Sequence, residues 1–147
     1  MSATASSVQP STNAPVAGRL FVAGLTGGAI AAVANLVVYF GAHAAGVDFM
    51  GKFDPNQPAQ GLMVPMVAVS SLVPGLFAAL LGVGLKKLTA AAPMVFLVIT
   101  VAFALLSMGG PANIAEASMG TKVALGVMHL VAAAGIGGLV YRALKAA

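Results

Sequence analysis

The 147-residue sequence contains no cysteine and no tryptophan, and only 7% of its residues are charged. Without cysteine there is no disulfide, no thiolate metal centre, no thiol nucleophile and no S-acylation site. A soluble domain carries roughly 25% charged residues, so this chain cannot assemble an ordinary water-exposed surface. Acidic groups are scarcest: Asp48, Asp54 and Glu116 are the three present, against seven Lys and Arg. General acid–base catalysis needs two groups within reach of one substrate, and all three carboxylates fall in short connections between apolar runs. Phosphate-binding glycine loops, zinc motifs and nucleophile elbows are absent. The expectation is a non-enzymatic protein with no catalytic residues. The basic residues form no stripe of the kind that binds nucleic acid. No cofactor or metal is expected, because a lone histidine falls short of the three or four ligands of a zinc site.

Apolar residues fill the space that charge leaves. They make up 60% of the chain, together with 18 glycines, and the mean hydropathy is +1.02. Residues 20–46, 62–85, 93–110 and 123–141 contain no Asp, Glu, Lys or Arg. At 1.5 Å per residue such runs cross, or nearly cross, a roughly 30 Å hydrocarbon core. Lipid supplies no hydrogen-bond partners, so they must be helices, and they are too long and unalternating for barrel strands. The predicted fold is all-α, an integral-membrane, up-down bundle of four transmembrane helices over about 20–46, 62–85, 93–110 and 122–142. The first run follows Arg19 and ends near an Ala-x-Ala pattern at Ala42 to Ala44. It exceeds the h-region of about 7–15 residues in a signal peptide, so cleavage is not expected.

Residues 1–18 are rich in Ser, Thr, Ala and Pro and hold no charged side chain. They read as a flexible cytoplasmic tail before a domain over 19–147. Arg19, Lys86, Lys87, Arg142 and Lys145 all fall on one side of a four-helix arrangement, with Lys52 and Lys122 on the other. By the positive-inside rule both termini are cytoplasmic. The outer segment from Val47 to Gln60 mixes Phe49, Met50 and Phe53 with charges, a pattern suited to lying at lipid headgroups. Within it Asp54, Pro55 and Gln57 fit a helix cap, and Thr121 fits a cap for the fourth helix.

Small residues at helical spacing permit close backbone approach in lipid. Gly24, Gly28 and Ala32, then Pro74, Ala78 and Gly82, then Gly126, Ala133 and Gly137 are the candidate packing positions. Asn35, Ser70, Ser71, Thr100 and His129 are the candidate intramembrane polar cluster, each roughly 9–16 Å below the outer end of its helix. Asn35 and His129 share faces with the small residues and are expected to point inward, within reach of one another. Polar groups in lipid are costly unless paired. His129 is therefore either structural glue, bonded to Asn35 or Ser71, or the centre of a ligand, proton or pigment site. Pro74 withdraws the N–H that the Ser70 carbonyl would receive, so a kink is expected beside this layer. His43 reads as an interfacial residue.

The segments Ala32-Val33-Ala34-Asn35-Leu36-Val37-Val38 and Leu125-Gly126-Val127-Met128-His129-Leu130-Val131 resemble a bacterial family of small four-helix integral membrane proteins of unassigned function. The resemblance covers roughly Arg19 to Leu144. It implies a four-helix bundle in a bacterial inner membrane, with polar family positions at Asn35 and His129, and it implies no activity. The leading functional expectation is an accessory or structural subunit of a membrane assembly or homo-oligomer, with lipids and other membrane subunits as partners. The alternative is binding or transport of a small solute, proton or lipid through a polar cavity around His129.

Overall fold

Deprived of water, each apolar run satisfies its backbone internally by coiling into a helix. A computed structural model describes residues 15–147; the expected tail up to residue 14 lies outside the described residues. The elements are α1 (Val16–Ala44), β1 (Met50–Gly51), β2 (Gln60–Gly61), α2 (Val64–Leu88), α3 (Ala92–Ser107), α4 (Gly109–Ala112) and α5 (Met119–Lys145). α1, α2, α3 continued through α4, and α5 are each long and apolar enough to cross a membrane. The fold is an all-α bundle with one two-residue antiparallel ribbon pairing β1 to β2.

Local chemistry moves several helix ends from their expected places. α1 begins at Val16, so residues 16–18 are its first turn and not tail. It ends two residues early, because Gly46 adopts φ +92°. There the Gly46 N–H donates to the His43 carbonyl and the Val47 N–H to the Ala42 carbonyl, each at 3.0 Å. These are the two bonds of a Schellman cap. Pro65 lies in the first turn of α2 and Pro93 in that of α3, where a missing N–H costs nothing. α3 stops at Ser107, short of residue 110, because Pro111 has no N–H for the Ser107 carbonyl and only the turn of α4 follows. Ser118, not Thr121, caps α5: its Oγ accepts from the Thr121 N–H at 3.1 Å. Asp54 caps no helix either. Its Oδ1 accepts from the Asn56 N–H and its carbonyl from the Gln57 N–H, closing a turn.

α1 is the most enclosed helix, running antiparallel between α2 and α5. A Cβ on Gly24 would strike the Gly75 carbonyl oxygen, and one on Gly75 would strike that of Gly24. Four residues on, a Cβ on Gly28 would lie 3.2 Å from the Leu72 Cα. On the other flank, a Cβ on Gly27 would lie 2.8 Å from the Ile136 Cα. The α2 face in this seam is therefore Ser71, Gly75, Ala79 and Gly82; the expected neighbours Pro74 and Ala78 sit one position round the helix. Gly82 packs against Leu20 and Val140, and Gly137 against Thr100. At Gly126 an added Cβ would meet Met108 Sδ at 3.8 Å, an ordinary contact that does not require glycine.

Two apolar clusters close the ends of the bundle. Leu20, Ala92, Phe96, Val140 and Leu144 pack at the end carrying the termini, where Arg19 donates to the Ala146 carbonyl at 3.2 Å. Phe49, Val67, Ala124, Leu125 and Met128 pack at the other. Phe49 is thus buried within the protein rather than laid on headgroups. Its backbone is left-handed at φ +51°, a cost of roughly 1–2 kcal/mol. Burying the ring contributes about 1.5–3 kcal/mol in return. The loop is held by the Lys52 N–H on the Ala115 carbonyl at 2.8 Å and the Lys52–Glu116 ion pair at 2.6 Å. Asp48 Oδ1 adds a tie, accepting from Thr121 Oγ1 at 3.1 Å.

The seam around Gly24 yields a prediction. Gly24→Ala should lower stability by roughly 1–3 kcal/mol through overpacking, read as an earlier thermal unfolding transition in detergent. Gly41→Ala, whose Cβ meets nothing within 4 Å, should leave the transition unchanged.

Candidate functional site

With α1 drawn between α2 and α5, α3 packs chiefly against α5 and α2. A cavity of about 770 Å³ remains among α2, α3 and α5. α2 contributes Ser70, Ser71, Pro74 and Ala78; α5 contributes His129, Ala133 and Gly137; α3 contributes Thr100. Asn35 reaches its wall from α1. The structure therefore brings all five candidate polar residues to one cavity. The small residues Pro74, Ala78 and Ala133 line that space, and Gly137 lines it beside the Thr100 side chain that packs against it.

Each polar group has a definite hydrogen-bonding state. Ser71 Oγ is buried and donates to the Val67 carbonyl at 2.8 Å. Its hydrogen is thereby spent, so toward Asn35 it accepts, receiving Nδ2–H at 3.0 Å. That fixes the amide orientation. Asn35 is 4% exposed and its Oδ1 is buried with no hydrogen-bond partner. Ser70 Oγ also donates to the Val67 carbonyl, at 3.1 Å. His129 Nδ1 lies 2.8 Å from the Leu125 carbonyl. A carbonyl only accepts, so Nδ1 carries the proton, and in the neutral ring Nε2 holds a lone pair. No direct hydrogen bond joins His129 to Asn35 or Ser71 among the described residues: His129 Nδ1 bonds Leu125, and Asn35 Nδ2 bonds Ser71.

Both apolar clusters lend residues to the cavity wall, and part of that wall is exposed. Val67, Leu125 and Met128 of the Phe49 cluster form its outer end, and Phe96 of the opposite cluster its inner end. At the side, Val73 and Phe77 of α2 and Ile99 and Phe103 of α3 line the cavity and are also exposed, the two phenylalanines by 64% and 67%. These four apolar side chains frame a lateral mouth between α2 and α3. Among the described residues no group of three or more His, Asp and Glu is placed to hold a metal ion. The sequence reading missed Gly75 and the aromatic frame. Gly75 was detectable from the small-residue series Ser71, Gly75, Ala79, but Phe77 and Phe103 are indistinguishable in sequence from lipid-facing neighbours.

The remaining candidates lie apart from the cavity. Lys86 and Lys87 occupy the last turn of α2, and Arg142 and Lys145 the last turn of α5. With Arg19 they gather at the end that holds the described termini, where cations complement helix C-terminal dipoles. Lys145 Nζ also sits 5.8 Å from the Tyr141 ring centroid. His43 is exposed at the opposite end, bonded through Nδ1 to the Val47 carbonyl at 3.0 Å.

The chain belongs to a family of unknown function, DUF6069, whose pattern matches residues 15–146. The match bears out the resemblance to a family without assigned function and extends it slightly beyond Arg19 and Leu144. Comparison with curated proteins and with solved structures gave no match.

The Asn35–Ser71 bond is testable by a double-mutant cycle. Asn35→Ala and Ser71→Ala should each destabilise, and the double variant should lose less than the sum. The expected coupling is about 0.6–2 kcal/mol, measured by reversible denaturation in mixed micelles. Strict additivity would show that the bond contributes nothing.

Proposed function

We propose that this protein binds a lipid-soluble small molecule in the cavity among α2, α3 and α5, exchanging it sideways with the bilayer. The observation that carries the reading is the combination of a 770 Å³ space, a polar wall and a lateral apolar mouth. That volume lies within the range of small-molecule sites, about 300–1,000 Å³. An unpartnered buried oxygen costs roughly 1–3 kcal/mol, and a bound molecule can recover part of that cost at Asn35. Apolar residues of the Phe49 and Phe96 clusters in the cavity wall favour holding or lateral exchange over a water-filled channel. Asn35 and His129 thereby take the ligand-site role in preference to glue alone.

The accessory-subunit reading has its own support. Only 11% of the α3–α4 span is buried, against 28–33% of the other spans. Met94, Val98, Val101 and Leu105 form an exposed apolar surface on α3 that a neighbouring subunit can cover. Lipid covers such a surface equally well, so this reading ranks second. For orientation, the five cations at one end support, by the positive-inside rule, a reading with both termini in the cytoplasm of a bacterial inner membrane.

Three outcomes follow. Organic extracts of the purified protein should contain a molecule lost from Ala133→Trp, which fills the cavity; identical extracts from both proteins would count against the binding reading. Crosslinking of the natively purified protein should give only monomer if lipid alone covers α3, and a defined larger species if a subunit does. Because the chain lacks cysteine, single-cysteine topology is clean: Asn56→Cys should react with an impermeant maleimide on intact spheroplasts, and Ala90→Cys, in the exposed turn between α2 and α3, only after permeabilisation. The reverse pattern would invert the orientation.

A further inference from the structure

The polar wall of the cavity is unbalanced in a way that specifies its occupant. We infer that the cavity takes an uncharged molecule whose head donates a hydrogen bond from a hydroxyl, an alcohol or phenol borne on an apolar body, and discriminates against the matching ether or ketone. The inference rests on the cavity reading above and adds the chemistry of the ligand.

Charge is settled by the lining, which contains no Asp, Glu, Lys or Arg. An ionic head would be desolvated there without a counter-charge, at a cost of several kcal/mol. Hydrogen-bond polarity follows from the donors already spent. Ser70 and Ser71 both give their hydrogens to the Val67 carbonyl. Ser107, also on the lining, gives its hydrogen to the Ala104 carbonyl at 2.8 Å. Asn35 gives Nδ2–H to Ser71, and His129 gives Nδ1–H to Leu125.

What remains is mostly acceptor. Asn35 Oδ1 has no partner, and His129 Nε2 keeps its lone pair. The Ser70 carbonyl receives no N–H from Pro74, four residues on. Against these stand two donors: the Thr100 hydroxyl, which makes no side-chain hydrogen bond among the described residues, and the second Nδ2–H of Asn35, whose first goes to Ser71. A hydroxyl head both donates to the acceptors and accepts from Thr100. An ether or ketone can satisfy only these donors and leaves the acceptors Asn35 Oδ1 and His129 Nε2 unmet. Sites built to bond a hydroxyl reject analogues lacking it, because their own buried groups are then stranded.

The test uses a long-chain para-alkylphenol, its methyl ether and an alkyl ketone of equal length. Each is titrated calorimetrically into the full-length protein in detergent, with Ala133→Trp as the blank for micelle partition. The phenol should bind about tenfold or more tightly than the ether or the ketone, the equivalent of one hydrogen bond to a buried acceptor. That preference should shrink toward unity in Asn35→Ala or in His129→Leu, while the ether still binds; either variant suffices if the other fails to fold. Equal binding of all three probes, abolished in Ala133→Trp, would overturn the hydroxyl inference and leave the cavity reading standing. So would a preference for the ketone, or a phenol preference that survives in both variants. No binding above the blank would overturn both.

Discussion

The contact between the backbones of α1 and α2 at Gly24 and Gly75 governs the arrangement of everything else. In lipid, apolar surfaces have no water to escape, so helices associate through close packing and interhelical hydrogen bonds. Closest packing requires that Cβ atoms be missing from both partners. Gly24 and Gly75 meet that requirement reciprocally, and Gly27 meets it against Ile136 on the opposite flank. α1 is thereby sunk between α2 and α5. α3 packs chiefly against α5 and α2 and settles in the outer angle of those two. There Thr100 enters the notch at Gly137 and Phe96 packs with Val140. Close packing on one side and a cavity on the other are two results of one placement.

The same seam explains where the polar groups can be tolerated. Ser71 belongs to the α2 face that approaches Gly28, so its hydroxyl stands at the edge of the tightest contact in the bundle. The bond it accepts from Asn35 fixes the sliding register of α1 on α2, since a shift by one turn would strand the amide. Only half of Asn35 is used in this way. The other half, Oδ1, is buried without a partner, so the residue is only partly used as a structural tie.

Much of this was legible in the sequence, and the failures share a cause. Charge-free runs gave four helices, and the inward placement of Asn35 and His129 followed from their spacing among small residues. What periodicity could not resolve was which small-residue face meets a partner. Pro74, Ala78, Ala133 and Gly137 have the composition of a packing stripe, and they line a space. Whether missing bulk becomes contact or cavity depends on what the neighbouring helix brings to it, which no single helix encodes. Helix ends were misplaced where one residue overrode hydropathy: Gly46 by its left-handed backbone, Pro111 by its missing N–H. The inward turn of Phe49 carried no signal, because an aromatic in an interfacial loop is equally at home in headgroups.

Phe49 also shows that the outer cap and the cavity are one construction. Its ring packs with Val67, Leu125 and Met128, and the other side of those residues forms the outer end of the cavity. The strained backbone at Phe49 persists because the loop is tied on both sides of it. Asp48 is bound to Thr121 and Lys52 to Ala115 and Glu116, so the loop between α1 and α2 is fastened to the start of α5. At the opposite end Phe96 and Leu144 give an equally dry closure without any loop. The flank between Phe77 and Phe103 has no comparable fastening: it is bounded by exposed apolar side chains on helices that touch sparingly. A fastened loop at one end and a packed apolar cluster at the other leave the flank between α2 and α3 as the least constrained part of the cavity wall.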